Sequence, residues 1–254
     1  MRFLRILTAL MLVLAVCHAP ATAQMDWLKV LTGTVKAGKA ATISDADLAK
    51  AVRQEVAKMD AKNKVCSSNS NYARRLSRIT SGMTSADGIK LNFKVYLTKD
   101  INAFACPDGS VRVYSALMDE LSDDELLGVI GHEIGHVALR HSKKAWRSAL
   151  IRSAASDFMG AASSTWSALS DSYLGSLTSA ALSAKHSRYH ETQADEYAYK
   201  FLKKCHKDPT AMIDALKKLK NMSEGSSSKY STILHAFSSH PDFDERIRHL
   251  EDMD

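Results

Sequence analysis

The stretch GHEIGHVALRHS, residues 131–142, places three histidines and one glutamate in an otherwise largely apolar run. His132 and His136 are four positions apart, so a helix puts both imidazoles on one face, one turn apart. Two ring nitrogens at that spacing can share one zinc ion. Glu133 is rotated by about 100° from His132, so it reaches a water at the metal more easily than the metal itself. We therefore expect a helix that turns this face towards a protected metal site.

The flanking residues predict a helix from Ser122 to Lys144 around this stretch. Ser122 is followed three positions later by Glu125, which is the spacing of a capping box. Acidic residues begin the segment and lysines end it, in agreement with the helix dipole. Glycine in a helix costs roughly 1 kcal/mol relative to alanine, so three of them indicate a closely packed neighbour: Gly128, Gly131 and Gly135.

The spacing of these histidines and the glutamate is the H-E-x-x-H pattern of metallopeptidases, whose catalytic sites use a third protein ligand. The metzincin class requires glycine at position 139 and histidine at 142, but the chain has Leu139 and Ser142. His141 lies five positions after His136 and points away from the ligand face of a continuous helix. It is therefore predicted to cap the helix C-terminus, and the third ligand must come from elsewhere.

A later segment, HETQADEY, offers the missing carboxylate. Glu191 and Asp195 are four positions apart and therefore share one helix face. Glu191 can complete a zinc site of two histidines and one glutamate that keeps one position open. Asp195 can accept a hydrogen bond from the second ring nitrogen of a zinc-bound histidine, which fixes the orientation of that ring. The alternative is an ordinary surface helix that carries two acids.

The first residues of the chain have the pattern of a secretory signal peptide, which is predicted to span residues 1–23. Arginines precede an apolar run at 6–16, and an A-x-A cleavage site ends at Ala23. Cys17 suggests the alternative of a lipidated cysteine, but Val16 is larger than the residue usual before such a cysteine. We expect an exported, periplasmic protein, with a lipid anchor at Cys17 as the alternative.

The charge of the chain bears on its partners. Removal of residues 1–23 takes away two arginines and no acids, which lowers the formal net charge from +6 to +4. No basic run alternates with aromatic residues, so no nucleic-acid partner is predicted. The mild positive charge is compatible with peripheral association with an anionic membrane surface, and the sequence indicates no oligomeric state.

The cysteines after residue 23 are Cys66, Cys106 and Cys205. In an oxidising compartment, this number favours one disulfide and one free thiol. Cys66 and Cys106 both lie beside turn-forming residues, whereas Cys205 lies at a predicted helix end, so Cys66–Cys106 is the favoured pair. No C-x-x-C spacing occurs, so neither a zinc–cysteine site nor a redox motif is predicted.

Periodicity predicts a helix-rich α+β fold. Alternating apolar and polar residues at Lys90–Thr98 and Ser110–Leu117, with a short strand from Asn102 between them, predict a three-stranded sheet. The serine- and alanine-rich segment Ser148–Ala184 is predicted to be helical, as a lid over a cleft or as a plain packing hairpin. A single domain is expected at 24–254, with N-terminal helices at 44–83, the sheet at 90–117 and the catalytic helices at 122–254.

Four motifs resemble those of a known family: NAFACPDGSVRVYSAL, VIGHEIGHVALRHS, SRYHETQADEYA and SHPDFDERI. They are similar to the zinc endopeptidases of the HtpX, BepA and LoiP type, a family that also contains the CAAX prenyl proteases. The resemblance runs from Asp45 to Leu250 and is greatest to the small, exported LoiP-like members. It implies a gluzincin-type zinc metallopeptidase domain with one Zn²⁺ per chain. The membrane spans of HtpX-like members and the TPR repeats of BepA-like members have no counterpart in the sequence.

The resemblance also implies roles for individual residues. Glu191 becomes the third zinc ligand beside His132 and His136. The strand that lines the substrate cleft consists of Asn102, Ala103, Phe104 and Ala105.

Two further residues, His240 and Arg246, fall where the family places an active-site histidine and an arginine. A histidine near the metal can donate a hydrogen bond to the oxyanion of the reaction. It can also take the fourth zinc position, which would close the site. The alternative to both is an ordinary turn histidine before Pro241. For Arg246 the alternatives are orienting His240, binding the oxyanion, or a surface salt bridge with Asp242 or Glu245.

These features together predict an exported zinc endopeptidase that cleaves unfolded or misassembled envelope proteins, which is a role in protein quality control. Glu133 is the predicted general base, taking a proton from a water that zinc makes more acidic. Polypeptide substrates are expected to lie extended along the cleft strand, with little sequence preference. The alternative from another class is a non-catalytic zinc-binding chaperone or assembly factor that holds extended chains in the same cleft.

Overall fold

Helices surround two small sheets in the part of the chain that the structure, a computed structural model, describes: residues 44–156, 178–224 and 239–254. The helices are α1 (Asp45–Lys62), α2 (Asn71–Ile79), α3 (Ser115–Glu120), α4 (Asp123–Ala138), α5 (His141–Ser156), α6 (Arg188–Lys204), α7 (Thr210–Glu224) and α8 (Phe243–Glu251). The strands are β1 (Ser85–Ala86), β2 (Ile89–Lys90), β3 (Asn92–Tyr96), β4 (Ala103–Ala105) and β5 (Ser110–Tyr114). The predicted helix-rich α+β class is confirmed.

Some sequence predictions concern residues outside this part of the chain. These are the signal peptide at 1–23 with Cys17, and the middle of the serine- and alanine-rich segment at 157–177. Among the described helices, none has the length and apolarity needed to cross a bilayer.

The predicted three-stranded sheet is confirmed and has the order β3–β5–β4. β3 runs parallel to β5, and β4 runs antiparallel to it with Ala103 opposite Val113. The last predicted strand, to Leu117, is wrong at its end, because the chain turns into α3 after Tyr114. Ser115 is the first residue of α3, and its hydroxyl hydrogen-bonds the main chain of Thr98.

The helix that carries the H-E-x-x-H stretch begins as predicted but is shorter. In α4 the Ser122 hydroxyl accepts from the Glu125 N–H, and the Glu125 carboxylate accepts from the Ser122 N–H at 2.7 Å, which completes the capping box. The helix ends at Ala138, not at Lys144. Arg140 takes a left-handed conformation with φ +64°, and this residue separates α4 from α5.

The glycines of α4 allow two helices to approach it closely. A methyl group added at Gly131 would lie 2.7 Å from the Phe201 ring, and one at Gly135 would lie 3.0 Å from Tyr197. Both aromatic residues belong to α6, so the glycines let α6 lie against the ligand helix. A methyl group at Gly128 would lie 3.2 Å from the main chain of Met212 in α7. The expectation of a closely packed neighbour is confirmed.

Two apolar clusters pack around the three-stranded sheet. One joins the sheet to the ligand helix and includes Val95, Val111, Val113, Ile130 and Ile134. The other joins the sheet to α1 and α5 and includes Leu48, Val52, Val56, Phe104 and Trp146. In the edge strand β4, Phe104 contributes to the second cluster while its neighbours Ala103 and Ala105 contribute to the first.

The predicted disulfide between Cys66 and Cys106 is not formed, and both thiols are free. Cys66 donates its N–H to the outer edge of β3 at Val95, whereas Cys106 extends β4 and bonds Ser110 of β5. With the strand order β3–β5–β4, three strand spacings of about 4.8 Å separate them, well beyond the roughly 7 Å limit for two bridged Cα atoms. Cys205, at the end of α6, is also free.

Candidate active site

Four buried side chains converge between α4, α6 and the turn before α8. They are His132 and His136 of α4, Glu191 of the first turn of α6, and His240. Their ligand atoms all lie within 4.8 Å of one another. Nε2 of His132 is 3.0 Å from Nε2 of His136, and these atoms lie 3.5 and 3.3 Å from the carboxylate oxygens of Glu191. The structure thus brings the three predicted ligands together and places His240, the predicted active-site histidine, beside them.

The chemistry of this donor set fits zinc. Nδ1 of His132 lies 2.7 Å from the Asp195 carboxylate, so Nδ1 carries the proton and Nε2 faces the cluster with its lone pair. Burial lowers the pKa of His136 well below its usual range, which keeps that imidazole neutral. Two imidazole lone pairs and a carboxylate that face one another repel unless a cation lies between them. Nitrogen and carboxylate oxygen are donors that zinc takes, and the described residues hold no second cluster of this kind.

One arginine of α8 holds the two acids of α6 in place. Arg246 donates to both oxygens of Asp195 at 2.7 Å, and its third nitrogen lies 3.1 Å from Glu191. Burial by itself would raise the pKa of Asp195, but the charge and hydrogen bonds of Arg246 outweigh this effect and lower the pKa. Asp195 therefore stays ionised as the hydrogen-bond acceptor of His132, as zinc-bound histidines require.

Arg246 does not form the surface salt bridge that was one alternative for it. Its guanidinium is buried, whereas the exposed Arg188 pairs with Asp242 and Glu245. The main-chain carbonyl of His240 lies 3.5 Å from Arg246. This arrangement points to a positioning role for Arg246.

Glu133 lies beside the four-residue cluster and is not part of it. Its carboxylate accepts a hydrogen bond from the Ala105 N–H at 3.2 Å and lies 3.5 Å from Nε2 of His240. Burial raises the pKa of Glu133. A carboxylate that is buried, oriented and outside the ligand set is suited to accept and return a proton.

The strand β4 forms the edge of the sheet next to Glu133. The ladder bonds on either side of β4, at Asn102 and Cys106, point towards β5. Because alternate residues of an antiparallel strand pair on the same side, Ala103 and Ala105 direct their main-chain groups to the opposite edge. No other described strand pairs with that edge, and the Ala105 N–H there meets Glu133.

An apolar cavity adjoins the site and was not predicted from the sequence. Its apolar lining comes from α4, α7 and α8 and consists of Val129, Met212, Leu216, Leu219 and Phe243. Glu133 and His240 border the same cavity. The spacing of the α7 residues does signal a buried helix face, but it does not reveal which element that face meets.

His141 does not cap the ligand helix, and that prediction is wrong. It begins α5, is buried, and lies with Nδ1 3.1 Å from Nδ1 of His136. Burial lowers the pKa of His141 to about 4. Two more histidines, absent from the predicted site, lie nearby: His186 stacks on His136 with ring centres 4.0 Å apart, and His190 stacks on His141 at 4.1 Å.

Comparison with known proteins agrees with this geometry. The model of Peptidase family M48 matches residues 70–254, which include all of the cluster. The chain belongs to peptidase family M48. This M48 peptidase is 38% identical to the Metalloprotease YcaL of Escherichia coli (strain K12) and 36% identical to the Metalloprotease LoiP of that organism. Each alignment covers 90% of this chain and 88% of the relative.

A third relative is larger. The Beta-barrel assembly-enhancing protease of Escherichia coli (strain K12) is 32% identical over 57% of this M48 peptidase and 32% of the relative. Family membership, the two full-length metalloprotease relatives and the donor set together identify the chain as a zinc metalloprotease. The resemblance stated from the sequence motifs is confirmed.

Proposed function

We propose that this M48 peptidase is an exported endopeptidase that cleaves unfolded or misassembled proteins of the cell envelope. The observation that carries the proposal is the contact between Glu133 and the outer edge of β4, which no described strand pairs with and where the Ala105 N–H donates to Glu133 at 3.2 Å. An extended peptide that pairs with this edge runs directly past the general base. Pairing through the main chain requires an extended segment with unpaired N–H and C=O groups, and in a folded protein most such groups are already paired within its own structure.

The cellular setting is supported by the sequence and by one relative. Residues 1–23 have the pattern of a secretory signal peptide, which supports export. The relative named for enhancing beta-barrel assembly supports proteins in the course of assembly as substrates. Polypeptide chains that fail to assemble leave strand edges unpaired, and such edges suit the strand β4.

The residues divide the chemistry between them. His132, His136 and Glu191 would hold the zinc ion, which when bound polarises the scissile carbonyl and makes an attacking water more acidic. Glu133 accepts the proton of that water, because burial has raised the pKa of its carboxylate, and returns it to the leaving amine nitrogen. The Ala105 N–H orients the carboxylate during both transfers.

The direct test uses one protein substrate in two states. The purified, zinc-loaded protein should degrade a reduced and carboxymethylated protein while it leaves the folded form of the same substrate intact. A chelator should stop the cleavage, and added zinc should restore it, as measured by gel electrophoresis and by mass spectrometry of the fragments. Equal cleavage of the two forms would contradict the proposal that substrates bind by pairing with the edge of β4. Binding of the unfolded form without cleavage would favour the zinc-binding chaperone.

His240 lies against the ligand atoms of His132 and Glu191, where it would restrict access to a bound zinc ion. Its Nδ1 is 3.2 Å from both carboxylate oxygens of Glu191 and 3.3 Å from Nε2 of His132. Its Nε2 faces Glu133. Because the nitrogen on the ligand side points into the cluster, we propose that His240 is a fourth ligand in this conformation and moves away when substrate enters.

The variant His240→Ala separates the two roles weighed for this residue. If His240 is a fourth ligand, its removal should increase the cleavage rate of an unfolded substrate severalfold and weaken zinc binding. The variant His249→Ala, on the surface of α8 beside Glu196, serves as the control with unchanged rate and affinity. A fall in kcat of roughly 10²–10³-fold with unchanged zinc affinity would instead assign His240 to the oxyanion.

A further inference from the structure

The ligand His136 has a buried hydrogen-bond partner that its spacing in the sequence does not suggest. Its Nδ1, which faces away from the cluster, lies 3.1 Å from Nδ1 of His141. The two residues expose only 1% and 2% of their surface, so no competing water reaches this contact easily. On the other side of the His141 ring, Nε2 lies 3.2 Å from Oε1 of Gln193 in α6.

Only one placement of protons satisfies these contacts. Nε2 of His136 must carry a lone pair to bind a cation, so its Nδ1 carries the proton and donates it. Nδ1 of His141 is then the acceptor, and Nε2 of His141 carries the proton that is donated to Gln193. The amide orientation of Gln193 agrees with this, because its nitrogen donates to the Tyr189 hydroxyl at 3.2 Å and its oxygen therefore faces His141.

We propose that His141 is a positioning residue of the zinc site, which accepts a hydrogen bond from His136 and so holds Nε2 of that ligand towards the metal. The break between α4 and α5 makes this contact feasible. On a continuous helix, five residues correspond to a rotation of about 140° beyond a full turn, which would separate the two rings. Arg140, with φ +64°, turns the chain back so that the first residue of α5 meets the last turn of α4.

The two zinc histidines would thus have different supports. His132 donates to Asp195, an anion that Arg246 holds in place, whereas His136 donates to a neutral imidazole. Partners of this kind fix the tautomer and orientation of a ligand, and their loss typically weakens metal binding by about 10–100-fold. We expect a loss within this range when His141 is removed, without any change in the ligands themselves.

The test is the zinc affinity of the full chain, measured by competition with a chromophoric chelator. His141→Ala should bind zinc about 10–100-fold more weakly. His141→Asn, whose side-chain oxygen replaces Nδ1 as acceptor, should restore most of the affinity. The matched control is His190→Ala, because His190 stacks on His141 and is also partly buried, yet has neither a hydrogen bond nor a ring contact with His136. Circular dichroism of the zinc-free variants reports whether each one folds.

Three results would overturn the proposal. They are wild-type affinity in a folded His141→Ala variant, an equal loss in His190→Ala, and an affinity of His141→Asn as low as that of the alanine variant. If His141→Ala fails to fold, the zinc affinity of His141→Asn is compared with that of wild type. An affinity close to wild type supports the proposal, and a loss of about 10–100-fold contradicts it. Since zinc affinity is measured without any substrate, the outcome is independent of whether unfolded envelope proteins are cleaved.

Discussion

Replacement of Glu133 by glutamine should lower kcat on an unfolded protein by roughly 10²–10⁴-fold, the usual contribution of a general base. The amide cannot accept the proton of the attacking water, yet it keeps the size of the side chain and an oxygen for the Ala105 N–H. Zinc content should stay at the wild-type level, because Glu133 does not belong to the ligand cluster. Fragment release gives the rate, and atomic absorption gives the metal content.

Glu196→Gln is the matched control for this substitution. Glu196 lies on α6 outside the site and pairs with Lys200 and His249, so its loss should leave the rate unchanged. Full activity of Glu133→Gln would contradict the role of Glu133 as base. If neither wild type nor variant cleaves while both bind zinc and unfolded chains, the chaperone alternative is the better description.

The second large effect is expected from His136→Ala, because this substitution removes one of the zinc ligands. Zinc sites with four protein ligands bind with about 10–16 kcal/mol, so one ligand accounts for roughly 3 kcal/mol, or about 100-fold in affinity. The variant should lose both zinc and activity. Since bound zinc stabilises only the folded state, a chelator should lower the melting temperature of the wild type and leave that of His136→Ala nearly unchanged.

The histidine variant His249→Ala controls for general effects of removing an imidazole. His249 lies on the surface of α8 and pairs with Glu196 of α6. The variant protein should retain zinc and the change in melting temperature caused by the chelator. A wild-type protein that carries much less than about one zinc per chain, with no change in His136→Ala, would falsify the metal site formed by this cluster.

Signals within single elements were sufficient to predict much of the fold. The capping box at Ser122 and Glu125 acts within one helical turn, and the alternation in β3 and β5 reflects a period of two residues. The glycines of α4 correctly indicated a close neighbour, because glycine costs roughly 1 kcal/mol in a helix interior and close helix packing can offset that cost. Such features depend on residues that are close together in the sequence, so they can be recognised without the tertiary structure.

Backbone irregularities were not predictable in the same way. Arg140 adopts a positive φ although residues other than glycine rarely do, and a helix was expected to continue past it. That single residue changes His141 from an expected helix cap into a neighbour of His136. The Cys66–Cys106 pairing failed for a related reason, because turn residues beside both cysteines do not indicate which sheet edge each occupies.

The sequence by itself determined the donor types, their helical spacing and the chemical class of the protein. His132, Glu133 and His136 could be assigned to one helix because the period of the α-helix links positions four apart. Spacing and the family resemblance had proposed Glu191, Asp195 and His240 for the site, and only the tertiary structure decided how these distant side chains are arranged in it. Asp195 and His240 are 63 and 108 positions from His132, and they meet it because α6 and the turn before α8 pack against α4. Contacts over such distances follow from the packing of whole elements, which no local pattern specifies.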